Sequence, residues 1–231
     1  MVAVAAGFIE TPKPLGLGLR LDQCELVSGG SAWSDHVAVY MFLHQDYGVR
    51  ALRLFLPCPF DLDKQCPRFS EKHPCGKRLN QLHRQYNACT GNNALLDVYC
   101  ASALGASLQI PRTTCKVAAS AFYARNSQIA NNCDVLIAFT WSPTSEPTDG
   151  GTKNTWSKFR GSPAAKFHFS LGALAAAVPG SQSLGLPAAL QSQSRKRVAS
   201  NCAPCVKARK QQIIATVCVL ALPCTMRKRL R

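Results

Sequence analysis

The stretch Asp134-Val135-Leu136-Ile137-Ala138-Phe139-Thr140-Trp141 is apolar at nearly every position. A continuous apolar run of this length is typical of a central strand of a parallel sheet, which is buried on both faces. After a short polar stretch comes Asp149-Gly150-Gly151-Thr152, which predicts a tight turn and the start of a helix. The segment therefore predicts a strand–turn–helix unit of an α/β fold.

A second copy of this pattern lies near the N-terminus. A short apolar strand, residues 24–27, leads into Ser28-Gly29-Gly30-Ser31-Ala32-Trp33-Ser34-Asp35. Because the carboxyl ends of parallel strands share one edge of a sheet, we expect the two Gly-Gly loops to form two walls of one cleft. Free backbone N–H groups lining such a cleft would suit a phosphate-bearing ligand.

Segments of strand and helix character alternate around these loops. We predict strands at residues 2–6, 24–27, 51–56, 107–110, 134–141 and 166–171, and helices within 34–47, 79–86, 95–103 and 118–129 and after 152. This order predicts an α/β domain over residues 1–171. Its expected architecture is Rossmann-like and doubly wound, with a mostly parallel sheet and helices on both faces.

Residues 172–231 differ in composition and predict a low-complexity, disordered basic tail. All 12 acidic residues lie at or before Asp149 together with 13 basic ones, a net charge of +1. Residues 150–231 carry 14 basic and no acidic residues, a net charge of +14. The near-neutral part argues against a dedicated DNA groove. The tail could make non-specific contacts with nucleic acid or an anionic surface.

Cysteine usage and the N-terminus bear on the compartment. No basic leader precedes the apolar N-terminal residues, so no secretory signal is expected. Twelve irregularly spaced cysteines predict free thiols in a reducing, intracellular and most simply cytoplasmic compartment. Basic clusters at 195–197 and 207–210 are also compatible with a nuclear location. Cys202 and Cys205, with Cys218 and Cys224, could hold zinc, but the apolar run among them is unlike a zinc knuckle, and no metal is expected.

The candidate ligand-binding residues lie in and beside the two loops. Asp35 would accept a ribose hydroxyl or cap the following helix. Arg125, beside Asn126, would pair with a phosphate, and Trp33 or Trp141 could stack on a base. Plainer alternatives are tight turns with a capping Asp35 and a solvated Arg125. Phosphate would contact the backbone of the loop residues Ser28, Gly29, Gly30, Ser31, Gly150, Gly151 and Thr152.

Taken together, these motifs resemble the SLOG superfamily, and most of all its YspA-like branch. The matching features are the first glycine loop, Arg125-Asn126, and the strand ending at Thr140 with its later Gly-Gly-Thr turn. The superfamily includes lysine-decarboxylase-like phosphoribohydrolases and DNA-processing protein A. The resemblance covers residues 24–171. It implies a Rossmann-like domain that binds a nucleotide or nucleotide-derived ligand, with Arg125, Asn126 and Thr140 at the site.

Two departures from the superfamily pattern favour binding over catalysis. Residues 6–12 lack the arginine of the usual first phosphate turn, and no glutamate follows Thr152. If the protein were an enzyme, the resemblance implies a phosphoribohydrolase-like nucleotide N-glycosidase with Asp35 or Asp149 as its carboxylate. A third alternative is a nucleic-acid-associated protein that acts through the basic tail. The sequence is also compatible with a homo-oligomer.

Overall fold

The computed structural model describes residues 1–63, 65–111, 118–177 and 217–221, and its architecture is mixed α/β. The helices are α1 (Val2–Glu10), α2 (His36–Leu43), α3 (Pro74–Thr90), α4 (Ala94–Ala103), α5 (Ala118–Asn131), α6 (Gly150–Lys158) and α7 (Leu171–Ala177). The strands are β1 (Glu25–Ser28), β2 (Ala51–Phe55), β3 (Phe60–Asp61), β4 (Arg68–Phe69), β5 (Ser107–Gln109), β6 (Val135–Thr140), β7 (Lys166–Ser170) and β8 (Val217–Ala221).

One six-stranded sheet has the order β5-β2-β1-β8-β6-β7. The pairs β1–β2, β2–β5 and β6–β7 are parallel. Strand β8 is antiparallel to both of its neighbours, β1 and β6. The sheet is therefore mixed, with two parallel groups of strands on either side of one antiparallel strand. Strands β3 and β4 form a separate two-stranded ribbon.

Apolar side chains from successive residues of a strand enter two different cores, because neighbouring residues point to opposite faces of a sheet. On one face, Leu26 of β1 and Ile137 of β6 pack with residues of α1, α2 and α3. On the other face, Val27 and Leu136 pack with Ile129 of α5 and with residues of α6. Helices thus cover both faces of the sheet.

The apolar runs predicted the strands β1, β2, β6 and β7, and the structure confirms each to within about two residues. The predicted strand at residues 2–6 is wrong, since this segment lies in helix α1. Ala5, Ala6 and Ile9 are buried there at helical spacing. A short apolar run fits a strand or a helix equally well, so its pattern alone does not decide between them.

Two segments of the expected basic tail have regular structure. Helix α7 extends past the predicted domain boundary at residue 171, and β8 lies in the middle of the sheet. Residues 178–216 and 222–231 lie outside the described residues, and so do the basic clusters and the cysteines at 202, 205 and 224. The expected contacts of the tail with nucleic acid or an anionic surface lie there as well.

The described cysteines partly match the expectation of free thiols. Cys24, Cys58, Cys66, Cys75, Cys100 and Cys133 are free, but Cys89 is disulfide-bonded. Within the described part of the chain, no group of three or more potential ligands could hold a metal ion. No helix in the same part of the chain is long and apolar enough to cross a bilayer.

Candidate functional site

Both glycine loops follow strands whose carboxyl ends meet at one edge of the sheet. Strand β1 ends at Ser28, and the first loop continues through a 3-10 turn, Trp33–Asp35, into α2. Strand β6 ends at Thr140, and α6 begins within the second loop. The Ser34 hydroxyl donates a hydrogen bond to the backbone oxygen of Phe139, at 3.3 Å. This bond brings the first loop to the end of β6.

A buried ion pair lies against the first loop. Arg125 Nη1 is 3.5 Å from Asp35 Oδ2, and the two side chains are 3% and 0% exposed. Burial raises the pKa of the Asp35 carboxyl above its usual range, and the Arg125 charge opposes that rise. Burial lowers the pKa of Arg125, although a guanidinium stays protonated in proteins. Each charge is therefore tolerated in the interior only because the other one is present.

The carboxylate of Asp35 is bound by its own loop. The Ser28 hydroxyl is shared between the Asp35 backbone oxygen, at 2.9 Å, and Oδ1, at 3.2 Å, and the Ser31 N–H donates to Oδ2 at 3.3 Å. The Gly29 N–H also stabilises the charged carboxylate. No side-chain hydrogen bond from Asp35 caps α2, so the predicted capping role is wrong. Hydrogen-bond donors of the first loop that we expected to bind a ligand phosphate therefore bind the Asp35 carboxylate instead.

Asn126 connects the two glycine loops. Its Oδ1 accepts from Arg125 Nε and Nη2, at 3.2 and 3.0 Å. Its Nδ2 donates to the backbone oxygen of Gly151 at 3.2 Å. Arg125 Nη1 in turn donates to the backbone oxygen of Gly29 at 3.3 Å. A continuous set of hydrogen bonds therefore runs from Gly29 through Arg125 and Asn126 to Gly151.

The first loop requires glycine at positions 29 and 30, for a different structural reason at each. A Cβ on Gly29 would lie 2.7 Å from Arg125 Cζ and 2.8 Å from Asp35 Oδ2. Only glycine leaves room for the ion pair at this position. Gly30 has a φ of +63°, a left-handed conformation that L side chains rarely adopt. A Cβ there would also lie 2.6 Å from Leu56 Cδ2.

We expect Gly29→Ala to lower the free energy of unfolding by about 1–3 kcal/mol, because the new methyl group displaces the buried ion pair. Gly7→Ala is the matched control, since nothing lies within 4 Å of a Cβ at Gly7 in helix α1. That control should gain up to about 1 kcal/mol from helix propensity. Urea denaturation of both variants measures the difference. Equal stability of Gly29→Ala and the wild type would contradict the close approach of Arg125.

The second loop is more accessible to solvent than the first. Asp149 and Gly150 are exposed and Gly151 is half-buried. Gly150 has a φ of +69° at the start of α6. Thr152 is 2% exposed, and its hydroxyl has no hydrogen-bond partner. Buried polar groups are normally paired, so an orphaned hydroxyl at a helix start requires an explanation.

Thr140 lies outside the hydrogen-bond network of Arg125. Its hydroxyl is 2.7 Å from His168 Nε2 and accepts from the Ser142 N–H at 3.1 Å. The other ring nitrogen of His168, Nδ1, lies 3.0 Å from the backbone oxygen of Thr144 and therefore carries the proton. Thr140 thus donates to His168, and this arrangement holds the segment that follows β6.

Sequence reasoning missed two buried histidines beside the first loop. His83 of α3 is fully buried, and its Nε2 donates to the backbone oxygen of Gly30 at 3.2 Å. His36 Nε2 is 2.9 Å from Asp97 Oδ2. The burial of His83 could have been predicted from its helical spacing, since the buried Leu79 lies four residues earlier on α3.

The sequence predicted Trp33 as a ring for base stacking, but it did not reveal the unusual backbone conformation of this residue. Its φ of +68° makes it the only non-glycine with positive φ among the described residues. Such a conformation is strained for a bulky residue, and strained residues cluster at active sites and ligand-binding sites. Its ring packs edge-on against Tyr86, with centroids 5.3 Å apart.

Comparison with known proteins identifies a relative of this chain by sequence similarity. No protein-family model matches the chain, and no solved structure matches it. A curated relative, uncharacterized protein R261 of Acanthamoeba polyphaga mimivirus, is 36% identical over 140 residues. The match covers 60% of this chain and 67% of the relative.

Proposed function

The chain belongs to the same family as the uncharacterized mimivirus protein R261, and we propose that it binds a nucleotide or nucleotide-derived phosphate ligand where its glycine loops meet. The observation that carries this proposal is the bridge of Asn126 between Arg125 and Gly151. That bridge joins two loops at the carboxyl ends of strands, the place where ligands bind in open α/β sheets.

The start of α6 is the proposed position of the phosphate. The first N–H groups of a helix have no partner within it, and the helix dipole favours an anion there. Gly150 and Gly151 leave the backbone accessible to a ligand. Lys153, in the first turn of α6 and about half exposed, adds a positive charge that Glu146 partly offsets, since Lys153 Nζ lies 4.0 Å from Glu146 Oε2. In this arrangement the first loop acts as the rigid wall of the site, because Asp35 engages its donors.

A Rossmann-like, SLOG-type architecture is part of the same proposal. The parallel groups β5-β2-β1 and β6-β7 and the helices on both faces support it. Trp141 follows the end of β6 and is 56% exposed. An aromatic ring in that position would offer a surface on which a base could stack.

Binding is better supported than hydrolysis. A carboxylate that assists N-glycosidic cleavage must contact the sugar, whereas Asp35 is fully buried and paired with Arg125. Asp149 is exposed, so it is the better placed of the two carboxylates considered above. With Asp35 engaged in holding the loop, the pair of groups needed for acid–base work is incomplete.

A panel of nucleoside mono- and diphosphates and ADP-ribose tests the proposal by thermal shift and titration calorimetry. We expect Thr152→Val to keep the stability of the free protein, because the replaced hydroxyl has no partner. The same change should lower the affinity for the ligand about tenfold, because it removes one good hydrogen bond to a phosphate.

Thr155→Val is the matched control in the same helix. The Thr155 hydroxyl donates to the Gly151 backbone oxygen at 3.1 Å, so this variant should lose stability while affinity changes little. No thermal shift with any ligand of the panel would refute ligand binding. Unchanged affinity in Thr152→Val would instead refute the phosphate position at α6.

A further inference from the structure

Two cysteines meet where the end of β2 packs against the start of α3. Cys58 follows β2, and Cys75 is the second residue of α3. They are 1% and 3% exposed, and both thiols are free. Cys75 Sγ lies 3.7 Å from the backbone oxygen of Pro57, to which it donates. A Cβ on Gly76 would lie 3.3 Å from Cys58 Sγ, so the Cys58 thiol lies against the same turn of α3.

The backbone around both cysteines is restricted. Cys58 lies between Pro57 and Pro59, and Cys75 follows Pro74 at the first position of α3. Proline fixes φ, so these segments have little freedom to move the thiols apart. Burial raises the pKa of the Cys58 thiol, and the neighbouring Cys75 raises it further.

A small cavity gives this pair of thiols a space for a reactant. Its volume is about 50 Å³, and both cysteines line it together with His73, Ile110 and Ala121. A cavity of this size accommodates a molecule of the size of water or a peroxide.

We propose that Cys58 and Cys75 form a redox-sensitive dithiol that a peroxide converts into an intrachain disulfide. Cys75 is the attacking residue, because burial disfavours the thiolate of Cys58. Its thiolate attacks the peroxide O–O bond, giving a sulfenic acid and releasing hydroxide or water. The second thiol then attacks the sulfenic sulfur, so that the S–S bond forms and water leaves. With hydrogen peroxide, two thiols are oxidised by two electrons in total, and the peroxide is reduced to two water molecules.

Peptide mapping of the reduced full-length chain tests this site. The protein is treated with hydrogen peroxide, alkylated, digested and analysed by mass spectrometry. We expect Cys58 and Cys75 to become protected from alkylation together, in a linked peptide about 2 Da lighter than its two thiol components. Dithiothreitol should restore both alkylated peptides. Cys58→Ser and Cys75→Ser should each abolish the link, whereas Cys66→Ser, at an exposed free cysteine, should not.

The wild-type map alone decides the outcome, so the test does not depend on the folding of a variant. Full alkylation of both cysteines after peroxide treatment would overturn the proposal. So would a disulfide that joins either cysteine to a different partner, or oxidation of both to sulfinic acid without a link.

Discussion

Arg125→Met is expected to lower the free energy of unfolding by about 3–5 kcal/mol. The substitution leaves the Asp35 carboxylate fully buried with no countercharge, while the hydrogen bonds from Ser28 and Ser31 remain. Since burial already raises the pKa of Asp35, loss of Arg125 should raise it further. The deficit should therefore be smaller at pH 5 than at pH 8, where an unpaired carboxylate has to be ionised in the interior.

The control for this variant is Arg53→Met. Arg53 also forms an ion pair, with Glu25, through bonds of 2.9 Å, but the two side chains are 28% and 17% exposed. A solvent-accessible pair of this kind contributes about 1 kcal/mol or less. Urea denaturation of the two single variants gives the comparison. Equal losses in both would contradict the view that Arg125 compensates a buried charge.

A double variant separates the charge from the packing. Asp35→Asn combined with Arg125→Met removes both charges from the interior at once. If the unpaired carboxylate is the main cost of Arg125→Met, the double variant should recover part of the lost stability. An additive loss would mean that Arg125 acts through contacts other than Asp35.

Arg125 also illustrates where prediction from the sequence ends. Its position on the helix just before β6 indicated a role in binding an anion, and the structure does place it against an anion. That anion is the carboxylate of Asp35, 90 residues away in the chain. An arginine in a sequence looks the same whether its partner is a ligand phosphate or a distant aspartate, because the pairing depends on tertiary contacts.

The strands also differ in how well the sequence alone predicts them. Strand β6 carries its own signal, six buried residues in an unbroken run. Strand β8 could not be placed, since it enters the sheet between β1 and β6 from far along the chain. Its position is set by non-local pairing, on which a local pattern carries no information. The glycine loops were predictable because Gly-Gly after an apolar run is a local signal.

Stability should fall steeply on acidification, and His83 is expected to be a main cause. Burial, together with repulsion from His36, lowers the pKa of His83 from 6.5 to about 3. The backbone oxygen of Gly30 and the charge of Asp97 oppose this shift without reversing it. The unfolded chain therefore takes up a proton on this side chain near pH 6.5, whereas the folded chain does not until about pH 3.

The direction of this pH dependence follows from whether the folded or the unfolded chain binds the proton at a given pH. Stabilisation by the neutral, buried His83 is complete above pH 6.5, the ordinary pKa, and is lost as the pH falls toward about 3. Between these values the free energy of unfolding should fall by about 1.4 kcal/mol per pH unit from this residue alone, roughly 5 kcal/mol in total. In His83→Gln this contribution should disappear, although glutamine can still donate to Gly30.

His73→Gln is the matched control, because His73 is exposed just before α3. Urea denaturation at pH 7, 6, 5 and 4 (about one unit apart) gives the slope for each protein. Other groups titrate alike in all three proteins, so the difference in slope isolates His83. Wild type and His73→Gln should share a steep slope, with His83→Gln about 1.4 kcal/mol per pH unit shallower. If all three slopes agree, His83 takes up its proton at the same pH in the folded and unfolded chains, which would contradict the lowered pKa.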